Sequence, residues 1–261
     1  SHVTKRRAAS SLTRWLSGVH RRRGVCRRMS MSALTEVVAD KIWTFDRPVW
    51  FSGIRQRART TVVRLEGGSL LVHSPAPPTD ALAEQLGTLG PVRWLLVPNC
   101  FHHLGTPAAA ARFPQAQVVG PASALKRNKA LTLNADIHDA GFGAQLPEFE
   151  LLPLFGVPFL DETVLYHRPT QTLLGADIVL CAGVKDHWTC RFAARLTGFY
   201  EQVRVPPDVR MTKLDKTAVA RSIQAMLERP IQRLIVGHAD VIQEGCRDLL
   251  ASAWRREGVE V

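Results

Sequence analysis

Four residues, from three widely separated places in the chain, have the side chains that chemistry asks for. The apolar run Trp94-Leu95-Leu96-Val97 passes through Pro98-Asn99-Cys100-Phe101 into His102-His103-Leu104-Gly105, a turn carrying two adjacent histidines. Gly175-Ala176-Asp177 and Val236-Gly237-His238 each place a further ligand type at the end of another apolar, strand-like run. Buried strands of α/β proteins deliver reactive groups in this way, at their carboxyl ends. On its own the His-His pair suits a cap on the helix beginning near Pro107 as well as a metal site. With Asp177 and His238 added, the pattern is that of a metal centre.

The elements that must position these residues can be read from periodicity. Arg59–Leu65 alternates, Glu66-Gly67-Gly68 turns and Ser69–His73 returns, which is a hairpin. A helix over Pro78–Leu89, with Leu82, Leu86 and Leu89 at helical spacing, leads into the strand Arg93–Val97. Further helices are expected over Pro107–Phe113, Pro121–Ala130, Asp215–Arg229 and Ile242–Trp254. Further strands are expected over Gln117–Val119, Glu150–Leu154, Glu162–His167, Thr172–Leu180 and Gln232–Val236. Ile42–Trp50 reads as a short strand and loop near the edge, 131–147 as a solvated loop, and 183–212 as an irregular segment with a helix. Such alternation of strand and helix argues for a layered α/β fold.

Composition bounds the rest. The 261 residues are 46% apolar with a formal charge of +11, but residues 1–28 hold nine basic residues and no acid, so the remainder carries only +2. A basic tail over residues 1–30 followed by one domain over 31–261 is the economical division. Contact with nucleic acid or a membrane surface then rests on the tail, which suits an amphipathic targeting segment, sequence upstream of a start at Met29 or Met31, or a remnant of a tag. No run approaches the roughly 18 apolar residues of a membrane-spanning helix. Five cysteines without a CxxC pair fit free thiols in a reducing, cytoplasmic setting, with an organelle as the alternative if the tail is a transit segment. Oligomeric state is not legible.

These residues resemble the metallo-β-lactamase-fold superfamily, whose strand ends carry His-x-His-x-Asp-His, a later His, a bridging Asp and a final His. His103-Leu104-Gly105 matches the end of the first motif, Asp177 the bridging Asp and His238 the final His. Pro98 and Cys100 fall where the first two histidines belong, His102 falls where the motif has Asp, and Leu154–Phe159 contains no histidine for the middle position. An Asn-x-x-His-His turn standing in for the usual motif is similar to a divergent branch of that superfamily. The resemblance implies a four-layer αββα sandwich and a single divalent metal, held by His102, His103, Asp177 and His238. Zinc suits that donor set, with iron or manganese as alternatives.

The expected activity is hydrolysis of a small ester, lactone, thioester or phosphoester through a metal-bound hydroxide, with Asp177 and His102 carrying the catalysis. Lys126, Lys185, His187 and Arg210 are candidates for holding an anionic part of that small-molecule substrate, although each taken singly better suits a solvated surface charge. Substrate choice is expected to lie in residues 131–147 and 181–212. Two other readings stay open: an iron-dependent redox enzyme on the same ligands, and a metal-free binding module.

Overall fold

A computed structural model describes residues 33–261. The basic tail lies outside the described residues. Strand β1 (Thr35–Val38) leads into β2 (Ile42–Phe51), which turns at Ser52-Gly53 into β3 (Ile54–Arg64). Both turn residues have positive φ, as a two-residue hairpin requires. Then come β4 (Leu70–His73), α1 (Asp80–Leu89), β5 (Val92–Leu96), α2 (Thr106–Arg112), β6 (Gln117–Gly120), α3 (Ser123–Arg127), β7 (Ala135–Asp136) and α4 (Ala140–Ala144). Next are β8 (Phe149–Pro153), β9 (Thr163–His167), β10 (Thr172–Leu174), α5 (Trp188–Thr197), α6 (Pro207–Arg210), α7 (Lys216–Leu227), β11 (Arg233–Ile235) and α8 (Cys246–Arg255).

Among the described residues the strands form two sheets, ordered β1-β2-β3-β4-β5-β6-β7 and β11-β10-β9-β8. The first is antiparallel up to β4 and parallel from β4 to β7. In the second, β10 pairs parallel with β11 and antiparallel with β9. Side-chain alternation along β5 sorts the layers. Trp94 and Leu96 face the second sheet in a shared core with Leu165, Leu174 and Ile235, whereas Leu95 packs outward with Leu82 and Leu86 of α1. On the far side of the second sheet, Val164, Leu173 and Leu234 meet Val219 and Ile223 of α7 and Leu250 and Trp254 of α8. The result is the αββα sandwich expected.

Two expectations need correction. β2 is a ten-residue strand rather than a short one with a loop, and it accommodates Pro48 because β1 pairs only with Ile42–Thr44, so the proline meets no partner on that side. Residues 131–147 are not a solvated loop. They contain β7 and α4, and they bury Ile137, Phe142 and Leu146 between the sheets, with Phe142 edge-on to Trp94 at 5.3 Å.

The parallel stretches have a consequence for function. β4, β5, β10 and β11 all end at one rim of the sandwich, and the residues just beyond them, Ser74, Asn99–His103, Gly175–Asp177 and Gly237-His238, build the site.

Candidate metal centre and its cavity

His102, Asp177 and His238 come together, with one ligand atom from each lying within 4.8 Å of the others. His102 Nε2 is 3.3 Å from Asp177 Oδ2 and 3.2 Å from His238 Nε2, and His238 Nε2 is 3.3 Å from Asp177 Oδ1. The opposite ring nitrogens are tied back. His102 Nδ1 meets the Ser74 hydroxyl at 2.6 Å, and His238 Nδ1 donates to the Arg57 carbonyl. A carbonyl oxygen only accepts, so neutral His238 carries its proton on Nδ1 and presents a lone pair at Nε2. Two imidazole nitrogens and a carboxylate converging this closely repel one another unless a cation or a proton lies among them. The donor set therefore fits a divalent metal ion.

The electrostatics agree. Burial alone would raise the Asp177 carboxyl, but the facing imidazoles of His102 and His238 outweigh it and hold the group well below the usual carboxylate range. Burial would lower His238, and the bond to Asp177 raises it instead.

Local packing forces this convergence. Asn99 Oδ1 accepts from the backbone N–H groups of Phe101 and His102, both at 2.9 Å, closing the turn that presents His102. Its Nδ2 donates to Asp177 Oδ2 at 2.8 Å and to Glu162 Oε2 at 3.1 Å. Glu162, itself buried, accepts from the N–H groups of Ala176 and Asp177 at 2.8 and 2.9 Å. Burial, and then the charge of Asp177, push its carboxyl up against those donors. Gly237 lets the ring of His102 approach: a Cβ there would lie 2.6 Å from His102 Cε1. Gly105 does the same for the turn, where a Cβ would lie 2.3 Å from the Pro75 carbonyl oxygen.

His103, expected as a fourth ligand, stands outside this group. Asn128 Oδ1 accepts from Ala130 N at 3.0 Å, which fixes the amide orientation and leaves Nδ2 to donate to His103 Nδ1 at 3.2 Å. His103 thus carries its proton on Nε2 and is a hydrogen-bond donor. Burial, then Arg127 and His102, keep it neutral by lowering its pKa. Cys100 is buried, its thiol donating to the Phe159 carbonyl and raised by burial.

His102, Asp177 and His238 open into a cavity of about 390 Å³, also lined by His103, Arg47, Arg127 and Asp208 and by the apolar side chains of Val49, Trp50, Phe51, Phe101 and Leu104. The four residues expected to hold a substrate anion do not line it. Lys126 is exposed at the end of α3, Lys185 pairs with Asp240 at 3.3 Å, His187 caps α5, and Arg210 donates to the Thr197 carbonyl. Nor do residues 131–147 reach it. The β2–β3 hairpin forms one side of the wall, where Arg47 faces the cavity beside Ala58, and Val49 beside Gln56, in register. Sequence reasoning missed Arg47, Arg127, Asp208 and Glu162. The available signal was a glutamate at the head of the wholly buried strand Thr163–His167, where a charge needs buried partners.

The family described as Domain of unknown function (DUF4336) matches residues 39–189, more than half of the chain. The chain belongs to that family. The DUF4336 match includes Asn99, His102, His103 and Asp177 and stops before His238. No curated protein matches the chain. Among solved structures, the DUF4336 chain is similar to a metallo-β-lactamase from Pontibacter korlensis (13% identity, TM-score 0.59, covering 87% of this chain and 99% of that one). It is also similar to one from Erythrobacter litoralis (13%, 0.61, 85% and 96%) and one from Hirschia baltica (11%, 0.60, 86% and 97%). At these identities the likeness concerns the fold, which is the metallo-β-lactamase fold.

Proposed function

We propose that the protein is a hydrolase built around one divalent metal ion, zinc by the chemistry of its donors, acting on a small ester, lactone, thioester or phosphoester with an anionic group. The observation that carries this reading is the convergence of His102 Nε2, His238 Nε2 and the Asp177 carboxylate in the wall of a cavity, with each ring's far nitrogen already engaged. Three protein donors is the count typical of catalytic zinc, whereas a structural site takes four. A divalent cation held there supplies water activation near neutral pH and stabilises negative charge on a scissile carbonyl or phosphoryl oxygen.

The chain's own groups complete the chemistry. Asp177, fixed by Asn99 and Glu162, orients the nucleophile with its free lone pairs. The Nε2–H of His103 donates to the developing oxyanion. Asp208, whose carboxyl is raised by burial and then by Asp177, hands a proton to the leaving group. Arg47 and Arg127 hold the substrate's anionic group in place of Lys126, Lys185, His187 and Arg210. Arg47 is half-buried with its pKa lowered by burial, and neither arginine has a carboxylate partner among the described residues. Arg127 instead lies over the ring of Phe101 at 4.0 Å.

The test is turnover of carboxylate-bearing and neutral p-nitrophenyl esters by zinc-loaded and chelator-treated protein. Zinc-dependent hydrolysis that favours the carboxylate-bearing esters is expected. Oxygen consumption after iron loading, with no turnover on zinc, would assign the site to redox chemistry instead. Identical behaviour of loaded and chelated protein would leave a binding module.

A further inference from the structure

Helix α5 is amphipathic the wrong way round for a helix that only packs. It buries its small residues, Cys190 and Ala194, against Ala182, Ile54 and Tyr200, and leaves its large ones outside. Trp188, Phe192 and Leu196 are 64%, 60% and 73% exposed, and their spacing of four residues aligns them in one stripe. Val184, just upstream, is equally exposed. Trp50, at the tip of the β2–β3 hairpin, extends the patch. Its ring stands edge-on to His187 at 6.2 Å, His187 meets Trp188 at 5.8 Å, and Arg55 N donates to Thr189 Oγ1, tying hairpin to helix.

The charges on α5 itself, Arg191 and Arg195, have one sign, and Lys185 upstream is paired with Asp240. Residues 184–200 contain Lys185, Arg191 and Arg195 and a single acid, Asp186. That acid is withdrawn from the surface: its side chain is 6% exposed, lies 3.5 Å from the Arg57 guanidinium and accepts from Gly183 N. Arg195 lies over the ring of Tyr200 at 3.7 Å beside the apolar stripe. Large exposed apolar patches on soluble folds mark interaction sites. A second copy of the chain would bring Arg191 and Arg195 against their own counterparts. An anionic lipid surface satisfies both features, since aromatic and aliphatic side chains settle at the headgroup boundary while basic side chains reach the phosphates.

We propose that the outward face of α5, together with Trp50, docks the protein on an anionic lipid surface. Among the described residues no helix is long and apolar enough to cross a membrane, so the contact lies in the interface plane. Because Trp50 also lines the cavity, docking places the cavity's rim beside the lipid.

The experiment is co-sedimentation of the full chain with sucrose-loaded vesicles, either of phosphatidylcholine alone or of equimolar phosphatidylcholine and phosphatidylglycerol. Binding to the mixed vesicles is expected, with the triple variant Trp188→Ser/Phe192→Ser/Leu196→Ser partitioning about tenfold or more weakly. That variant keeps every basic residue, including those in residues 1–28, so what binding it retains reports charge alone. The double variant Arg191→Glu/Arg195→Glu, which leaves the apolar stripe intact, weakens binding to the mixed vesicles and guards against misfolding of the first. Quenching of wild-type tryptophan fluorescence by brominated acyl chains gives a second expected signal. The proposal is overturned if the triple variant binds as well as wild type, or if wild type shows no binding or quenching. It is also overturned if wild type is a dimer in solution that the triple variant renders monomeric, which would give the face to a second copy.

Discussion

The carboxamide of Asn99 donates to Oδ2 of Asp177 at 2.8 Å while its oxygen closes the turn that presents His102. One side chain thereby sets the distance between two candidate metal ligands from different sheets. Groups that orient ligands in this way typically account for 10–100-fold in metal affinity. Asn99→Ala is expected to weaken zinc binding by about that factor in a competition titration against a chelator, with the fold retained. Unchanged affinity would show that the turn holds without it.

Gly237 makes room for His102. Gly237→Ala places a Cβ 2.6 Å from His102 Cε1 and 3.0 Å from the Ala176 carbonyl oxygen, so the imidazole must move. Lower zinc affinity and a lower unfolding midpoint are expected together. Gly183→Ala, where an added Cβ meets nothing within 4 Å, serves as the control and is expected to change neither. Equal behaviour of the two variants would remove the close approach from the account.

Asp208 lines the cavity without being one of the converging ligands. Asp208→Asn is expected to lower kcat by about 100-fold or more while metal content stays at the wild-type level, because general acid catalysis contributes roughly 10²–10⁴-fold. It is also expected to remove the alkaline limb from the pH–rate profile. A variant with full activity would take the proton transfer away from this residue.

His73, at the end of β4, is buried, and its Nε2 has no hydrogen-bond partner. Burial, and then the proximity of His102, lower its pKa to about 3 from the ordinary 6.5. The folded state therefore keeps it neutral while the unfolded chain takes up a proton, so its contribution to stability is present above pH 6.5 and is lost as pH falls towards 3. Between pH 6.5 and 4.5 this amounts to about 2–3 kcal/mol. In urea unfolding, His73→Leu is expected to lose that much less stability than wild type over the same interval. Parallel losses in the two proteins would contradict the assignment.

The sequence made legible what depends on strand ends. Asp177 and His238 close apolar runs, and His102 follows one, because parallel strands deliver residues to a common rim. A layered α/β fold followed from the alternation of strand and helix, and the four layers from the resemblance. What was hidden depends on contacts between distant segments. Glu162 has its meaning only beside the N–H groups of Ala176 and Asp177, in a loop that follows a different strand. His103 parts from its neighbour His102 because Asn128, 25 residues away, claims its Nδ1. The cavity wall was sought in two irregular segments, of which 181–212 supplies Asp208 and 131–147 nothing, whereas the regular β2–β3 hairpin supplies a larger part. The apolar residues of 131–147 were masked by glycines and acids around a helix too short to show a period.

Metal content tests the central claim most directly. Purified protein reconstituted with zinc and freed of excess is expected to hold one equivalent by elemental analysis, and the His102→Ala/His238→Ala variant, folded by circular dichroism, close to none. A full equivalent retained by that double variant, or none bound by the wild type, would contradict it.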